Sequence, residues 1–307
     1  DPRVRLIQQP NGGVTRARNL GLAEATAPFI APIDSDDIWH PTRLAVHLAT
    51  FAAGGDDVGL VYSSYRRVDE YDRVFWTVYG PPLEGQVFVP HLIENFIGNG
   101  SGITVRTAVL REVGGYPFTR DGAPFEIAED WLMQMRIAQR YRIARAPGFL
   151  VGYRAVTGSL SGNRLRRRQW DMLALDQIAS ESGDVPRWVF WFPMARATCK
   201  LAWEYNHVGR RREALATLWR HTLANPLVPF YLAYMLVERI GWKLFPALIP
   251  KSQTHFIPEA ERRSFYDWDP AITPERYTTV SAPLTLAIYR WLGRRFAPSR
   301  RAGRQGR

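Results

Sequence analysis

Two acidic clusters are the parts of this 307-residue sequence best suited to chemistry. The first, Asp34-Ser35-Asp36-Asp37, follows the apolar run of residues 29–33, and carboxylates at the end of a buried strand lie where open α/β sheets bind ligands. Two carboxylates one residue apart in a turn can both reach a hard divalent cation. Mg²⁺ or Mn²⁺ would take one or two of them and complete its coordination with diphosphate oxygens and water. The alternative is a solvated acidic turn that caps the following helix.

The second acidic cluster is Glu129-Asp130, at the start of a predicted helix over residues 127–141. Capping of that helix and complementation of its dipole is the simplest interpretation of these two residues on their own.

A glycine-rich turn near the start of the chain is a third candidate. Gly12 and Gly13 permit a tight turn and a close approach of the backbone to a ligand. Arg18 follows on a predicted helix over residues 15–25, and its forked donor suits phosphate. An ordinary loop before a surface helix is the alternative.

The elements that must position these residues alternate between strands and helices up to about residue 156, which predicts an α/β layer domain. Strands are predicted over residues 4–8, 29–33, 58–63, 101–106, 141–144 and 148–154, with a hairpin or strand pair within 66–89. Helical patterns occupy residues 15–25, 41–53, 109–113 and 127–141, and then 165–180, 187–207, 210–224 and 228–244. We therefore predict an α/β domain over residues 1–156 and a mainly α-helical region with a basic tail over residues 157–307.

The order and spacing of these motifs resemble the donor half of family 2 glycosyltransferases with the GT-A fold. The matching run is Asn-Gly-Gly, Ala-Arg-Asn-x-Gly, an alanine-bearing helix, a short apolar strand and then Asp-Ser-Asp-Asp. Later motifs extend the resemblance over about residues 4–161: Gly114-Gly115-Tyr116, Glu129-Asp130-Trp131 with Arg136, and Tyr153-Arg154 with Ser159 and Ser161. The resemblance implies a Rossmann-like nucleotide-diphospho-sugar transferase domain.

The resemblance also implies roles for individual residues. Asp130 would be the general base and Asp36 would bind the metal. The donor would be bound by Gly12, Arg18, Asn19, Asp34 and Ser35, with possible supporting roles for Asp37, Glu129, Trp131 and Arg154. A general base suits the chemistry, because a sugar hydroxyl is a poor nucleophile and must lose its proton as the new bond forms.

The expected reaction is an inverting, metal-dependent transfer of a hexosyl group from a nucleotide-diphosphate sugar to a hydroxyl of a glycan or lipid-linked acceptor. Synthesis of a bacterial cell-surface glycan is the expected setting. The Gln-x-x-Arg-Trp motif of processive members is absent from the sequence, which favours a single transfer.

One departure from the family pattern keeps a second function open. The family has a strand, a helix and a second strand before the Asn-Gly turn, whereas this sequence opens at Asp1-Pro2-Arg3. We therefore expect those elements to lie upstream. The alternative is a truncated or degenerate glycosyltransferase that acts as a binding or scaffold protein at the membrane.

Charge is unevenly distributed along the chain. Residues 1–156 carry 16 arginines and 17 acidic residues, whereas residues 157–307 carry 24 basic and 12 acidic residues. The basic half favours an anionic partner such as an acidic membrane surface, and we expect a cytoplasmic protein, peripheral on the inner face of the membrane. A nucleic-acid partner is not expected, because no recognition motif is present. An arginine-rich composition that reflects only genomic base composition is the alternative.

Residues 226–250 form the most apolar segment. Charged residues and prolines interrupt it, so a membrane-spanning helix is not expected. A buried helix is our first interpretation, and an interfacial helix on an acidic membrane is the second. The tryptophans of the helical region are interpreted as packing residues, and the lone Cys199 as a buried one.

Overall fold

The computed structural model describes residues 1–78, 81–155, 162–244 and 255–270, together with residues 291 and 295. Its helices are α1 (Gly13–Glu24), α2 (Arg43–Gly54), α3 (Phe88–Ile93), α4 (Thr107–Glu112), α5 (Glu129–Ala138), α6 (Arg164–Glu181), α7 (Trp191–His207), α8 (Arg211–Ala224) and α9 (Leu227–Leu244). Its strands are β1 (Phe29–Ile30), β2 (Ile38–Trp39), β3 (Val58–Val68), β4 (Val74–Val78), β5 (Ile103–Arg106), β6 (Arg142–Arg154) and β7 (His255–Phe256). Short 3-10 turns occupy Arg187–Phe190, Glu259–Glu261 and Phe265–Asp267.

Strand β3 is the centre of a mixed sheet. One edge of β3 pairs in parallel with β6 along almost its whole length. The other edge pairs antiparallel first with β5, at residues 60–62, and then with β4, at residues 65–68. Strands β1, β7 and β2 pair with β5, β4 and β6 respectively. Both β3 and β6 are largely buried, as expected of strands covered on both faces.

The sheet fixes both ends of the acidic turn at residues 34–37. Before the turn, Phe29 and Ile30 pair with Arg106 and Val105 of β5. After it, β2 pairs with Gly152 and Val151 of β6. The turn therefore spans from one part of the sheet to another, and its backbone has little freedom.

The main hydrophobic core joins the sheet to helices on both sides of the predicted boundary at residue 156. Leu60 and Ile103 of the sheet share one buried cluster with Leu132 of α5 and with Leu175 and Ile178 of α6. Helix α6 thus packs against the α/β domain as part of its core. The division into regions at residue 156 stays a prediction.

The α/β fold followed by a helical region is confirmed, with three corrections. Residues 4–8 form no strand: Val4 and Leu6 are 77% and 86% exposed, and no described strand pairs with them. Residues 66–89 supply the predicted strand pair, β3 with β4, but their end enters helix α3, all six residues of which are buried. The two predicted strands within residues 141–154 are one continuous strand, β6.

The apolar segment from residue 226 is not a buried helix in its described part. Val228 is 1% exposed, but Phe230, Tyr234 and Val237 are 72%, 57% and 68% exposed. The packing interpretation is also wrong for Trp219, which is 70% exposed. An apolar helix has the same composition whether its outer face is covered or open. The predicted basic tail and the motif serines at positions 159 and 161 lie outside the described residues.

Candidate functional site

Arg18 joins the two acidic clusters. Its Nη2 donates to Asp34 Oδ1 at 2.5 Å and its Nη1 donates to Glu129 Oε1 at 2.7 Å. Glu129 lies 111 residues away along the chain. The Arg18 side chain is only 12% exposed and its guanidinium lies 5.2 Å from the centre of the Tyr116 ring. Burial acts to lower the pKa of Arg18, but Asp34 and Glu129 outweigh it and leave the pKa raised.

Gly100 makes room for this bridge. A Cβ atom at position 100 would lie 2.8 Å from Arg18 Nη2. The following residue, Ser101, holds the acidic turn, because its hydroxyl accepts from the backbone N–H of Asp34 at 3.0 Å and its carbonyl accepts from Trp39 Nε1 at 2.9 Å. No spacing in the sequence indicated the contribution of Gly100 or Trp39.

The acidic turn presents its residues in different ways. Asp34 faces Arg18, whereas Ser35 and Asp36 are exposed. Asp37 is buried, with Oδ1 accepting from the backbone N–H of Arg154 at 2.9 Å. Burial raises the pKa of Asp37 to about 6.

Arg154 is a clamp for this turn. Its guanidinium donates to the carbonyls of Asp36, at 2.7 Å, and of Asp69, at 2.5 Å, and pairs with the carboxylate of Asp72. The clamp ties the turn to the connection between β3 and β4. Arg154 therefore supports the position of the turn and has its donors engaged within the protein.

Helix α5 presents the second acidic cluster from a strained start. Ala128 has φ +67°, a left-handed conformation that L-residues with a side chain rarely adopt. Directly after it, Glu129 is buried against Arg18, while Asp130 is half-buried and its Oδ1 accepts from the backbone N–H of Trp131 at 2.7 Å. The two carboxyls therefore have different surroundings, one paired with Arg18 and one bound to the backbone of its own helix.

The two carboxyl groups of α5 titrate as an interacting pair. Burial, assisted by the charge of Asp130 and opposed by Arg18, raises the pKa of Glu129 to about 8. Burial also raises the pKa of Asp130, with Arg18 and the hydrogen bond from Trp131 opposing the shift. The charge of Asp34 acts on both groups, which places the two acidic clusters within electrostatic reach of each other.

Trp131 anchors α5 in the core. It is 5% exposed, and its Nε1 donates to the carbonyl of His91 at 2.9 Å. Its ring is committed to packing, so its support of the site is indirect.

Asn19 links two further motifs. Its Nδ2 donates to the carbonyl of Tyr116 at 2.8 Å, and its Oδ1 accepts from the N–H of Tyr116 at 2.8 Å. Gly115 lies so close that a Cβ there would be 2.5 Å from Asn19 Oδ1, and its φ of +70° also favours glycine. The amide of Asn19 therefore holds the Gly-Gly-aromatic turn beside Arg18.

Gly12 lies apart from the carboxylates, at the start of α1. It lines an open cleft of about 530 Å³ together with Gln9, Pro10, Asn11, Gly13, Arg16, Pro124 and Glu126. The structure thus brings Arg18, Asp34, Glu129 and Asp130 together, and Gly12 lines a cleft that none of these four residues lines.

The carboxylates of the site fit a divalent cation that takes most of its ligands from a diphosphate and from water. Among the described residues no three His, Cys, Asp or Glu side chains converge as a metal cage. Asp36 is exposed, and no described residue pairs with its carboxylate, so it is free to bind. One carboxylate with diphosphate oxygens and water is the coordination that Mg²⁺ commonly accepts.

His47 of α2 is fully buried, and its Nδ1 lies 3.0 Å from Thr104 Oγ1. The prediction that Cys199 is buried is confirmed. Cys199 is 1% exposed, and burial raises the pKa of its thiol to about 11, so the thiol stays neutral. Within the part of the chain that the structure describes, none of the helices has the length and apolar character needed to cross a bilayer.

Comparison with known proteins agrees with this arrangement. The chain is similar to the UDP-Glc:alpha-D-GlcNAc-diphosphoundecaprenol beta-1,3-glucosyltransferase WfgD of Escherichia coli. The two are 28% identical over 179 residues, which cover 56% of this chain and 65% of WfgD. A stretch of 44 residues is 50% identical to the succinoglycan biosynthesis protein ExoW of Rhizobium meliloti, and covers 14% of each chain. The chain is also 33% identical over 69 residues to the chondroitin synthase of Pasteurella multocida, a match that covers 22% of this chain and 7% of the synthase.

The matched part is less than two thirds of each of these relatives. The family described as Glycosyl transferase family 2 matches residues 1–141, which hold Arg18 and both acidic clusters. Residues 1–141 are therefore similar to glycosyl transferase family 2, and the α/β fold agrees with that similarity.

Proposed function

We propose that the protein is an inverting, metal-dependent glycosyltransferase that moves a hexosyl group from a nucleotide-diphosphate sugar to an acceptor hydroxyl. The observation that carries the proposal is the Arg18 bridge. It joins the acidic turn at Asp34 to Glu129, and among the described residues Asp36 and Asp130 have no ion-pair partner. A site for leaving group and nucleophile needs such free carboxylates held at a fixed separation.

Asp130 is the proposed general base. It is half-buried, so an acceptor hydroxyl can reach it, and burial raises its pKa above that of an ordinary aspartate. A carboxylate of raised pKa accepts a proton more readily at neutral pH than an exposed one. Glu129 and Arg18 are positioning residues, since their side chains are nearly inaccessible and engaged with each other.

The acidic turn is the proposed donor side. Asp34 is directed at the nucleotide or its ribose, with exposed Ser35 beside it, and Asp36 would hold Mg²⁺ or Mn²⁺. When bound there, the cation would neutralise charge on the departing nucleotide diphosphate. Asp37 and Arg154 keep the turn in place through their mutual hydrogen bond and the contacts of the guanidinium.

The setting we propose is synthesis of a bacterial cell-surface glycan at the cytoplasmic face of the membrane. Two relatives support it: WfgD is named for transfer to a diphosphoundecaprenol-linked sugar, and ExoW for succinoglycan biosynthesis. A glycan or lipid-linked acceptor is therefore proposed here as well.

The test is sugar transfer from UDP-, GDP- and dTDP-sugars by the parent chain and by Asp130→Asn. We expect the variant to lose about 100- to 10,000-fold in kcat, with little change in KM for the donor. The product of the parent should show the inverted anomeric configuration by NMR, and its rate should rise with pH as the base loses its proton. Asp56→Asn, a fully exposed change, is the matched control.

Two results would overturn the proposal. Transfer by Asp130→Asn within about threefold of the parent would exclude the residue as the base. Absence of transfer from every donor would favour the alternative, a non-catalytic binding or scaffold protein that keeps the fold.

A further inference from the structure

Helix α9 exposes an apolar face without any charge among its described side chains. Every exposed residue between positions 227 and 237 is apolar, and Phe230, Tyr234 and Val237 are 72%, 57% and 68% exposed. The opposite side of the helix is packed, with Val228 buried beside Cys199. The exposed residues cover a continuous arc of the helix, since they recur at three- and four-residue intervals.

Helix α8 carries a matching apolar stripe. Leu215, Trp219 and Leu223 recur every four residues and are 68%, 70% and 74% exposed. Single exposed apolar residues are common, but large ones that recur along two neighbouring helices form a patch of the kind that marks an interaction surface.

The two faces are parts of one surface. An apolar groove of about 640 Å³ runs between α7, α8 and α9. Leu215 of α8 and Leu236 of α9 both line this groove, and they are 68% and 49% exposed. The faces therefore meet along the mouth of the groove. We call Leu215, Trp219 and Leu223 with Phe230, Tyr234, Leu236 and Val237 the α8–α9 face.

Positive charge borders the α8–α9 face. Arg211, Arg212 and Arg220 of α8 are exposed, and Glu213 is the one acidic residue of that helix. Glu213 is already paired with Arg210 at 2.8 Å. A surface of aromatic and aliphatic side chains with exposed arginines at its border matches the headgroup region of an anionic bilayer, where Trp and Tyr are also favoured.

We propose that the α8–α9 face docks on the surface of a membrane that contains anionic lipids. The apolar side chains enter the boundary between headgroups and acyl chains, and the arginines contact lipid phosphates. A second copy of the chain fits the face less well, because a two-fold contact would bring the same arginines towards each other.

The test is flotation of the full chain with two kinds of vesicle, one of phosphatidylcholine alone and one with about a third phosphatidylglycerol. We expect binding to the anionic vesicles that weakens in about 0.5 M NaCl. The triple variant Leu215→Gln, Trp219→Gln, Leu223→Gln should bind about tenfold more weakly or worse. Arg212→Gln with Arg220→Gln should lose about fivefold per arginine, the effect expected for a cation at an anionic surface.

Two exposed aromatic residues outside this helical region provide the matched control. Tyr71 and Tyr266 are 69% and 50% exposed, near the β3–β4 connection. Their replacement by Gln should leave vesicle binding within about twofold of the parent. If circular dichroism shows that the triple variant on α8 does not fold, the double variant Phe230→Gln, Tyr234→Gln on α9 tests the same surface.

Three outcomes would overturn the proposal. The first is no binding of the parent to anionic vesicles, and the second is an equal loss of binding in the Tyr71 and Tyr266 control. The third is a parent that does not bind vesicles and is a dimer as measured by light scattering, together with a triple variant that is a monomer. That result would make the face a protein interface.

Discussion

Replacing Arg18 with methionine should remove a cation that two carboxyl groups share, those of Asp34 and Glu129. The Arg18 and Glu129 side chains are 12% and 10% exposed, so their pair is nearly shielded from water. The Asp34 side chain is 37% exposed and can be hydrated once Arg18 is gone, so its loss adds less than about 1 kcal/mol. Glu129 therefore dominates the cost.

The cost should depend on pH, because burial raises the pKa of Glu129 to about 8 in the parent. Below that pH, Glu129 is neutral in parent and variant, and the loss is one hydrogen bond from a charged donor, about 2 kcal/mol. Without Arg18 the folded-state pKa of Glu129 rises further. As the pH passes 8, the parent releases a proton that the variant retains, so the deficit should grow by about 1 kcal/mol by pH 9.

The assay is urea unfolding of Arg18→Met and the parent at pH 6.5 and pH 9. The free energy of unfolding of the variant should be lower than that of the parent by about 2 kcal/mol at pH 6.5 and about 3 kcal/mol at pH 9. Adding Glu129→Gln should recover at least about 1 kcal/mol of the deficit at pH 9, since no carboxyl is then stranded. Arg5→Met is the matched control: its 2.8 Å pair with Glu24 is exposed and should contribute less than about 0.5 kcal/mol. A deficit below about 1 kcal/mol at both pH values, or one that Glu129→Gln leaves unchanged, would refute the bridge.

Two further predictions concern the turns that support the site. The pKa of Asp37 is raised to about 6, so the parent loses stability as the pH rises from about 4 through 6. The free energy of unfolding of Asp37→Asn should therefore match that of the parent at pH 4 and exceed it by up to about 3 kcal/mol at pH 8. Urea unfolding at both pH values measures this, and a variant less stable than the parent at pH 8 would contradict it. Gly115→Ala should cost about 1–2 kcal/mol more than Gly114→Ala, because both glycines have positive φ but only the first would meet Asn19, at 2.5 Å. Equal thermal denaturation midpoints for the two alanine variants would show that this close approach is unimportant.

Much of the fold could be predicted because it follows from local patterns. The helices after residue 156 have long apolar periodicities and polar or proline-containing breaks, and α6 to α9 lie within a few residues of their predicted bounds. The acidic turn was predicted at a strand end because apolar residues precede it and turn formers compose it. Its place between β1 and β2 agrees with that reasoning.

The errors arose where neighbours decide the structure. Residues 4–8 have a strand-like composition, but a strand exists only where another strand pairs with it. Phe88–Ile93 is apolar except for His91, and such a run is compatible with either a buried strand or a buried helix. For α9, composition could not reveal which apolar residues other helices would cover.

The site was predicted in its parts and not in its connections. Asp34, Glu129 and Asp130 were identified by residue type and order, but one sequence does not show that Arg18 pairs with carboxylates 16 and 111 residues away. Donor binding by Arg18 stays a prediction; its two terminal nitrogens contact Asp34 and Glu129. Donor binding by Asn19 also stays a prediction, and both ends of its amide bind the Tyr116 backbone.

The measurement that tests the central claim most directly is ligand-induced thermal stabilisation with UDP, GDP and dTDP, each with and without Mn²⁺. The parent should be stabilised by one nucleotide in a metal-dependent manner, because a ligand that binds only the folded state raises its stability by mass action. Asp36→Ala should lose that shift while keeping the unfolding midpoint of the free parent, and the exposed Asp56→Ala should keep the shift. A chain that no nucleotide stabilises, or a shift that survives in Asp36→Ala, would contradict the assignment of the acidic turn as a metal-assisted donor site.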